Sequence, residues 1–257
     1  MIQYFNFSDK TVLITGAAGV LGYHIAKGFA SAGAGLVLVD LSLKKERLEE
    51  ITEEFTEKFK NSFQFYTLDI RNEKEVLDLE YQLQRDDIQI DILVNNAGAN
   101  IIKSALLMTG EEWDVVVDTN MKGTFLMSKH IGRTMLRTLS SGVIVNVSSQ
   151  HGVVGNEDRT SYCASKAGII NLTRALAIEW ARHSVRVNCV SPTFILSSKN
   201  QEVLNSPLNL KKFLKKIPLG RYCVPEDVTN GIMFLASPLA GMVTGHNLVI
   251  DGGYTIQ

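Results

Sequence analysis

A chain of 257 residues, 45% hydrophobic and 21% charged, can bury a substantial core without disulfides or metals and fits one large α/β domain. A formal net charge of −1 gives no bulk electrostatic footprint for nucleic acid or an anionic membrane. Three widely spaced cysteines (Cys163, Cys189, Cys223) and an opening MIQYFNFSDK without a charged start or apolar stretch argue against a disulfide framework, a zinc site and a signal peptide, and suit a reducing cytoplasm. No window approaches the ~18 uninterrupted apolar residues of a membrane span.

In chain order, Thr11–Thr15 (TVLIT) is a continuous apolar run ending at glycine, as expected of a buried parallel strand. A helix follows over Gly22–Ala32, then a strand over Gly35–Asp40 (GLVLVD) and a charged amphipathic helix over Lys44–Lys60. Phe63–Leu68 reads as the third strand, Glu73–Arg85 as a helix and Asp91–Asn95 (DILVN) as the fourth strand. A long helical region covers Glu112 to Leu139, followed by a strand over Val143–Val147, a helix over Tyr162–Ala181 and strands over Val185–Val190 and Asn247–Asp251. Repeated strand–helix–strand order predicts one α/β domain over residues 1–257, built on a doubly wound parallel sheet of about seven strands. Thr193–Pro218 is the least regular stretch, polar and then lysine-rich (Lys211, Lys212, Lys215, Lys216). It reads either as a solvated connection or as a lid over a site.

Thr15-Gly-Ala-Ala-Gly-Val-Leu-Gly22 lies between the first strand and the first helix. Glycines there permit a tight turn and close approach to a pyrophosphate, which the free N–H groups of the helix N-terminus can hold. Asp40 ends the second strand, 18 residues after Gly22. A carboxylate at that point accepts hydrogen bonds from the ribose hydroxyls of NAD and repels the extra phosphate of NADP. Leu41 and Ser42 follow it, so no arginine is adjacent to receive that phosphate.

Tyr162 and Lys166 are i and i+4 on a predicted helix and share a face. A phenol with a pKa near ~10 is a poor base at neutral pH. A nearby ammonium and the positive charge of an oxidised nicotinamide favour the phenolate, and so fit Tyr162 for general acid–base work on an alcohol. With Asp69, Asn95-Asn96-Ala97-Gly98, Asn120, Ser148-Ser149, Tyr162-Cys-Ala-Ser-Lys166 and Asp251-Gly252-Gly253, the chain resembles the short-chain dehydrogenase/reductases over Asp9 to Tyr254. The resemblance implies a Rossmann-type fold and interconversion of a secondary alcohol and a ketone. Ser149, 13 residues before Tyr162, is then the group that holds the substrate oxygen. Lys166 bonds the nicotinamide ribose, and Asn120 anchors a water in a proton relay. By the same resemblance Gly16, Val20, Leu21 and Gly22 meet the pyrophosphate. Asp69 and Ile70 lie by the adenine, Asn96, Ala97 and Gly98 along the adenosine ribose, and Ile195 and Ser197 by the carboxamide; Tyr162 also borders the coenzyme.

Two positions depart from the family pattern. Val20 stands where a glycine is usual, after Gly19, and Thr193 replaces the glycine that usually follows Pro192. A β-branched residue at 193 disfavours positive φ, which leaves the path of the following loop open. Among family members the chain is similar to sugar-acid and polyol dehydrogenases of the gluconate 5-dehydrogenase type, and Gln150, His151 and Asn156 are suited to a hydroxyl-rich substrate. Two other readings stay open: a 3-oxoacyl-carrier-protein reductase, against which Asp40 counts, and a non-catalytic NAD-binding regulator on the same fold. The expected partners are a small-molecule substrate, with no nucleic acid, membrane or metal, and further copies of the chain in a homotetramer or homodimer. In that assembly the helices near Glu112–Leu139 and Tyr162–Ala181 pack across subunits. Ile169, Leu172, Leu176 and Trp180 serve either core or interface.

Overall fold

Each short apolar run becomes a strand, and the strands pair in parallel. The computed structural model describes residues 5–137, 141–197 and 200–257. The chain start at residues 1–4, the expected helix end at Leu139, and Ser198 and Lys199 of the expected loop lie outside the described residues. The strands are β1 (Thr11–Thr15), β2 (Gly35–Asp40), β3 (Phe63–Thr67), β4 (Ile92–Asn95), β5 (Val143–Val147), β6 (Arg186–Pro192) and β7 (Asn247–Ile250). They form one seven-stranded sheet in the order β3-β2-β1-β4-β5-β6-β7, with every pair parallel. The order reverses beside β1, where the chain leaves β3 on one flank and enters β4 on the other, and the carboxyl ends of the strands open a crevice there.

Helices cover both faces. Strand residues alternate between them: Val12 and Ile14 pack with α1 (Val20–Ser31), α2 (Lys45–Lys58) and α9 (Pro225–Ala236), whereas Leu13 packs with α3 (Glu73–Arg85), α5 (Gly123–Arg137) and α6 (Thr160–Trp180). Burial on both sides explains why these strands read as continuous apolar runs. The sequence reading did not identify α9, although Pro225, Glu226 and Asp227 supply a Pro-plus-acid start. Ile169 and Leu176 are buried in the core, and Leu172 and Trp180 pack against it.

The expected helix over Glu112–Leu139 is interrupted. α4 (Gly110–Val117) passes through a π-helical turn at Asp118–Lys122 into α5. The expected irregular stretch is also more ordered than predicted: it contains α7 (Gln201–Leu204) and α8 (Pro207–Lys212), then a 3-10 turn at Leu214–Lys216. Pro207 and the Ser206 hydroxyl, which accepts from the Asn209 N–H, start α8. Leu204, Ile217 and Tyr222 form a separate small cluster with Phe194 and Tyr254, so this segment packs on itself beside the crevice.

Candidate active site

After β1 the backbone turns at Gly16 with φ +66, where a Cβ would lie 2.8 Å from the Ala97 Cα. A Cβ on Gly22 would sit 2.1 Å from the Gly16 carbonyl oxygen. The loop and α1 can therefore meet only without side chains at these two positions. Gly19 caps α1 with no side-chain bond to its first turn, which leaves helix N–H groups available to an anion. The Asn96 side chain donates to the carbonyls of Thr15 (3.0 Å) and Gly16 (3.2 Å), tying the end of β4 to the same loop. Asp40, at the end of β2, accepts from the N–H groups of Ala18 (3.0 Å) and Leu41 (2.8 Å).

These groups border a cavity of about 540 Å³ whose wall includes Gly16, Leu21, Gly22, Asp40, Asp69, Ile70 and Asn96 to Gly98. Val20 opens α1 but is not on that wall. Asp69 reaches the wall with its carboxylate already held by the Arg71 guanidinium at 2.6–3.0 Å, which keeps it below the usual carboxylate range. Arg71 and Lys44 also line the cavity, two cations that the sequence reading passed over.

A second cavity of about 410 Å³ adjoins the first through Leu21, Asn96, Gly98 and Ala99. Ser149, Tyr162 and Lys166 all lie on its wall. Ser149 follows β5, and Tyr162 and Lys166 sit in the first two turns of α6; the stretches after β4 (Gly98 to Asn100) and β6 (Thr193 to Ile195) complete the wall. The Lys166 ammonium donates to the Val147 carbonyl (2.8 Å) and lies 5.6 Å from the centre of the Tyr162 ring. A Cβ on Gly98 would come within 3.5 Å of that nitrogen. Asn120 is fully buried within the π-helical turn. Its Oδ1 accepts from the Ala99 N–H (2.7 Å), and its Nδ2 donates to the Ala99 carbonyl (2.9 Å) and the Ser165 hydroxyl (2.9 Å). Both amide hydrogens are thus committed to holding the Gly98–Ala99 backbone against α6.

Burial raises the Tyr162 phenol above its ordinary value; the bond with Ser149 and the charge of Arg159 oppose that rise. Burial also pushes the Lys166 ammonium down, to about 8. Arg159, which precedes α6 and lines the same cavity, was not singled out in the sequence. Its signal was weak: one cation in a polar loop. Ile195 is on the wall, but Ser197 is not; its N–H donates to Asn200 Oδ1 (2.8 Å), and Asn200 donates to the Ile195 carbonyl (2.9 Å), fixing that stretch. Thr193 avoids positive φ and continues the strand, donating to the Ile250 carbonyl (3.0 Å).

A family model described as enoyl-(acyl carrier protein) reductase matches residues 16–255. The chain belongs to the short-chain dehydrogenase/reductases. It is 37% identical over 253 residues to an NAD-dependent glycerol dehydrogenase of Listeria innocua, covering 98% of this chain and 96% of the relative. It is 38% identical over 253 residues to a 3-oxoacyl-(acyl-carrier-protein) reductase of Thermotoga maritima, covering 98% and 100%. A gluconate 5-dehydrogenase from Burkholderia cenocepacia, solved with NADP and tartrate, superposes with a TM-score of 0.92 at 25% identity over 99% of this chain and 98% of that one. This short-chain dehydrogenase/reductase is therefore an oxidoreductase of alcohol groups. The bare turn at Gly16, the uncapped α1 N-terminus and the cavity beneath them fit the nicotinamide dinucleotide that the family uses.

Proposed function

We propose that the chain is an NAD(H)-dependent dehydrogenase that interconverts a secondary alcohol and a ketone on a sugar acid or polyol. The observation that carries this reading is the convergence of Ser149, Tyr162 and Lys166 on one cavity that adjoins the dinucleotide cleft. Bound in the cleft, the oxidised coenzyme supplies the acceptor for the electron pair leaving the carbinol carbon, together with a positive charge near the phenol. Gly16, Leu21 and Gly22 would hold its phosphates, and Ile70 and Asn96 to Gly98 its adenosine half. The Ser149 hydroxyl orients the substrate oxygen. Tyr162 takes the alcohol proton during oxidation and returns it during reduction. Lys166 would hold the nicotinamide ribose, and Asn120 positions the Ala99 backbone through both of its amide groups.

Asp40 favours NAD, because a second phosphate on the ribose would meet its carboxylate. Lys44 and Arg71 pull the other way, but Arg71 is already paired with Asp69. The second enzyme reading, a 3-oxoacyl-carrier-protein reductase, has a relative of comparable identity in its favour. Apolar Val115, Met121, Phe125 and Ile178, exposed on and between α4, α5 and α6, support a homodimer or homotetramer. The free thiols Cys163, Cys189 and Cys223 suit a cytoplasmic setting.

The test is a coenzyme-reduction screen with NAD and NADP against polyols, sugar acids and hydroxyacyl thioesters. NAD-dependent turnover of a polyol or sugar acid is the expected result. Turnover restricted to thioesters would select the second reading. Coenzyme binding with no turnover of any alcohol would leave a non-catalytic regulator.

A further inference from the structure

Polar groups on the substrate cavity wall outnumber what Ser149 and Tyr162 need. Among the wall residues there are two cationic side chains, Arg159 and Lys166, and no aspartate or glutamate. Lys166 is buried and already bonded to the Val147 carbonyl. Arg159 is only half-buried, and its guanidinium has no ion pair or hydrogen bond among the described residues. An unpaired guanidinium on the wall of a partly dry cavity is a directional site for a carboxylate, which it can grip with two parallel hydrogen bonds.

The neighbouring side chains are polar but uncharged. His151 is buried, and its Nε2 lies 3.2 Å from both Gln150 Nε2 and Asn156 Nδ2. The ring nitrogen and these two amides form one hydrogen-bonding patch, whose donor and acceptor roles follow the tautomer of the imidazole. Burial, aided by Arg159, holds this imidazole at about 4, so it stays neutral near neutral pH. Its ring meets Tyr162 and Phe194 edge-on at 6.3 and 5.7 Å, which keeps it beside the reacting group. Gln150 and Thr193 each line the cavity and carry a buried oxygen without a hydrogen-bond partner. Buried polar atoms left unpaired are costly, and ligand hydroxyls are the groups that can satisfy them.

We infer that this cavity selects an open-chain hydroxy carboxylate over the corresponding neutral polyol, with Arg159 anchoring the carboxylate and His151, Gln150 and Thr193 meeting the hydroxyls. This inference rests on the dehydrogenase reading and narrows it. The reaction is the same two-electron step: the carbinol C–H bond breaks with its electron pair passing to NAD, the O–H proton passes to Tyr162, and a keto acid leaves. The carboxylate takes no part in bond making, so Arg159 is a specificity-determining residue.

The experiment compares matched pairs: glycerate with glycerol, erythronate with erythritol, xylonate with xylitol and gluconate with sorbitol, each with NAD. The acid of the preferred chain length should exceed its polyol in kcat/KM by at least about tenfold, as expected for a charge-assisted hydrogen bond. Added salt should raise KM for the acid alone. Arg159→Gln should raise KM for the acid, lowering its kcat/KM at least about tenfold more than that of the polyol, and Arg159→Lys should recover part of the difference. Equal or better use of the polyol by the wild-type protein overturns the inference and leaves the dehydrogenase reading standing. An equal loss of kcat for acid and polyol in Arg159→Gln, with a displaced pH profile, also overturns it, because Arg159 would then act only through the Tyr162 phenol. If no pair is turned over, the dehydrogenase reading fails; calorimetric titration of gluconate and xylonate into NADH-loaded protein then decides the anchor, which absence of Arg159-dependent binding overturns.

Discussion

The dinucleotide end and the substrate end of the crevice are built from different materials. At the dinucleotide end the wall joins bare backbone, at the Gly16 turn and the first turn of α1, to the side chains of Asp40, Lys44, Asp69 and Arg71. At the substrate end it is mostly side chains, brought from β5 and its extension, the start of α6, and the stretch after β6. The difference teaches where tolerance lies. A backbone wall fails when any side chain is added, whereas a side-chain wall fails only when the particular group that is removed was in use.

The largest effect tests the substrate end. Tyr162→Phe removes one hydroxyl and leaves the ring that His151 packs against. Turnover should fall by about 10²–10⁴-fold, the range of a general acid–base contribution, with coenzyme affinity nearly unchanged. Steady-state kinetics with a fluorescence titration of NADH checks both halves, and comparable turnover in the variant would remove Tyr162 from the chemistry. Gly22→Ala tests the other end by addition. Its Cβ would press into the Gly16 carbonyl at 2.1 Å, so a loss of about 1–3 kcal/mol in stability, as for overpacking, should accompany weaker coenzyme binding. Thermal unfolding with and without NADH measures this. A variant with wild-type Tm and affinity would show that the loop has another path.

The same contrast explains what was legible in the sequence. Backbone requirements leave local marks: Gly16 and Gly22 at fixed offsets from an apolar strand, and Asp40 at the end of the next. β1, β2, β5 and α3 lie where periodicity puts them, because local pattern and tertiary burial agree there. The Tyr162–Lys166 pair was equally plain, being one helical turn apart. Arg159 and Asn200 had no such mark, and Thr193 was visible only as a departure from the family pattern; they share a cavity because β5 and β6 end, and α6 begins, at the same edge of the sheet. The role of Arg71 was hidden for a related reason, since its bond to Asp69 depends on how the loop after β3 curls back. The break at Asp118–Lys122 was not readable either, because a π-turn keeps helical composition and changes only the hydrogen-bond register.

A smaller effect separates the coenzymes. Asp40→Ala removes the carboxylate that would face a ribose phosphate and leaves Lys44 and Arg71 on the wall. The ratio of kcat/KM for NAD to that for NADP should fall by at least about tenfold, the worth of one charged hydrogen bond. An unchanged ratio would mean that Asp40 serves only the Ala18 and Leu41 N–H groups.

The smallest effect at neutral pH belongs to His151, and its sign follows from its environment. Burial holds the imidazole at about 4 against an ordinary value of 6.5. Between those values the unfolded chain binds a proton that the folded chain does not, so stability rises with pH across the window and is lost as pH falls through it. Above pH 6.5 both states are neutral and the residue contributes no slope. At the acid end the penalty reaches at most about 3 kcal/mol. His151→Gln should therefore flatten the dependence of Tm on pH between about pH 4 and 6.5, with little change near pH 7. A slope as steep as that of the wild-type protein would mean that this imidazole takes up its proton in the folded chain.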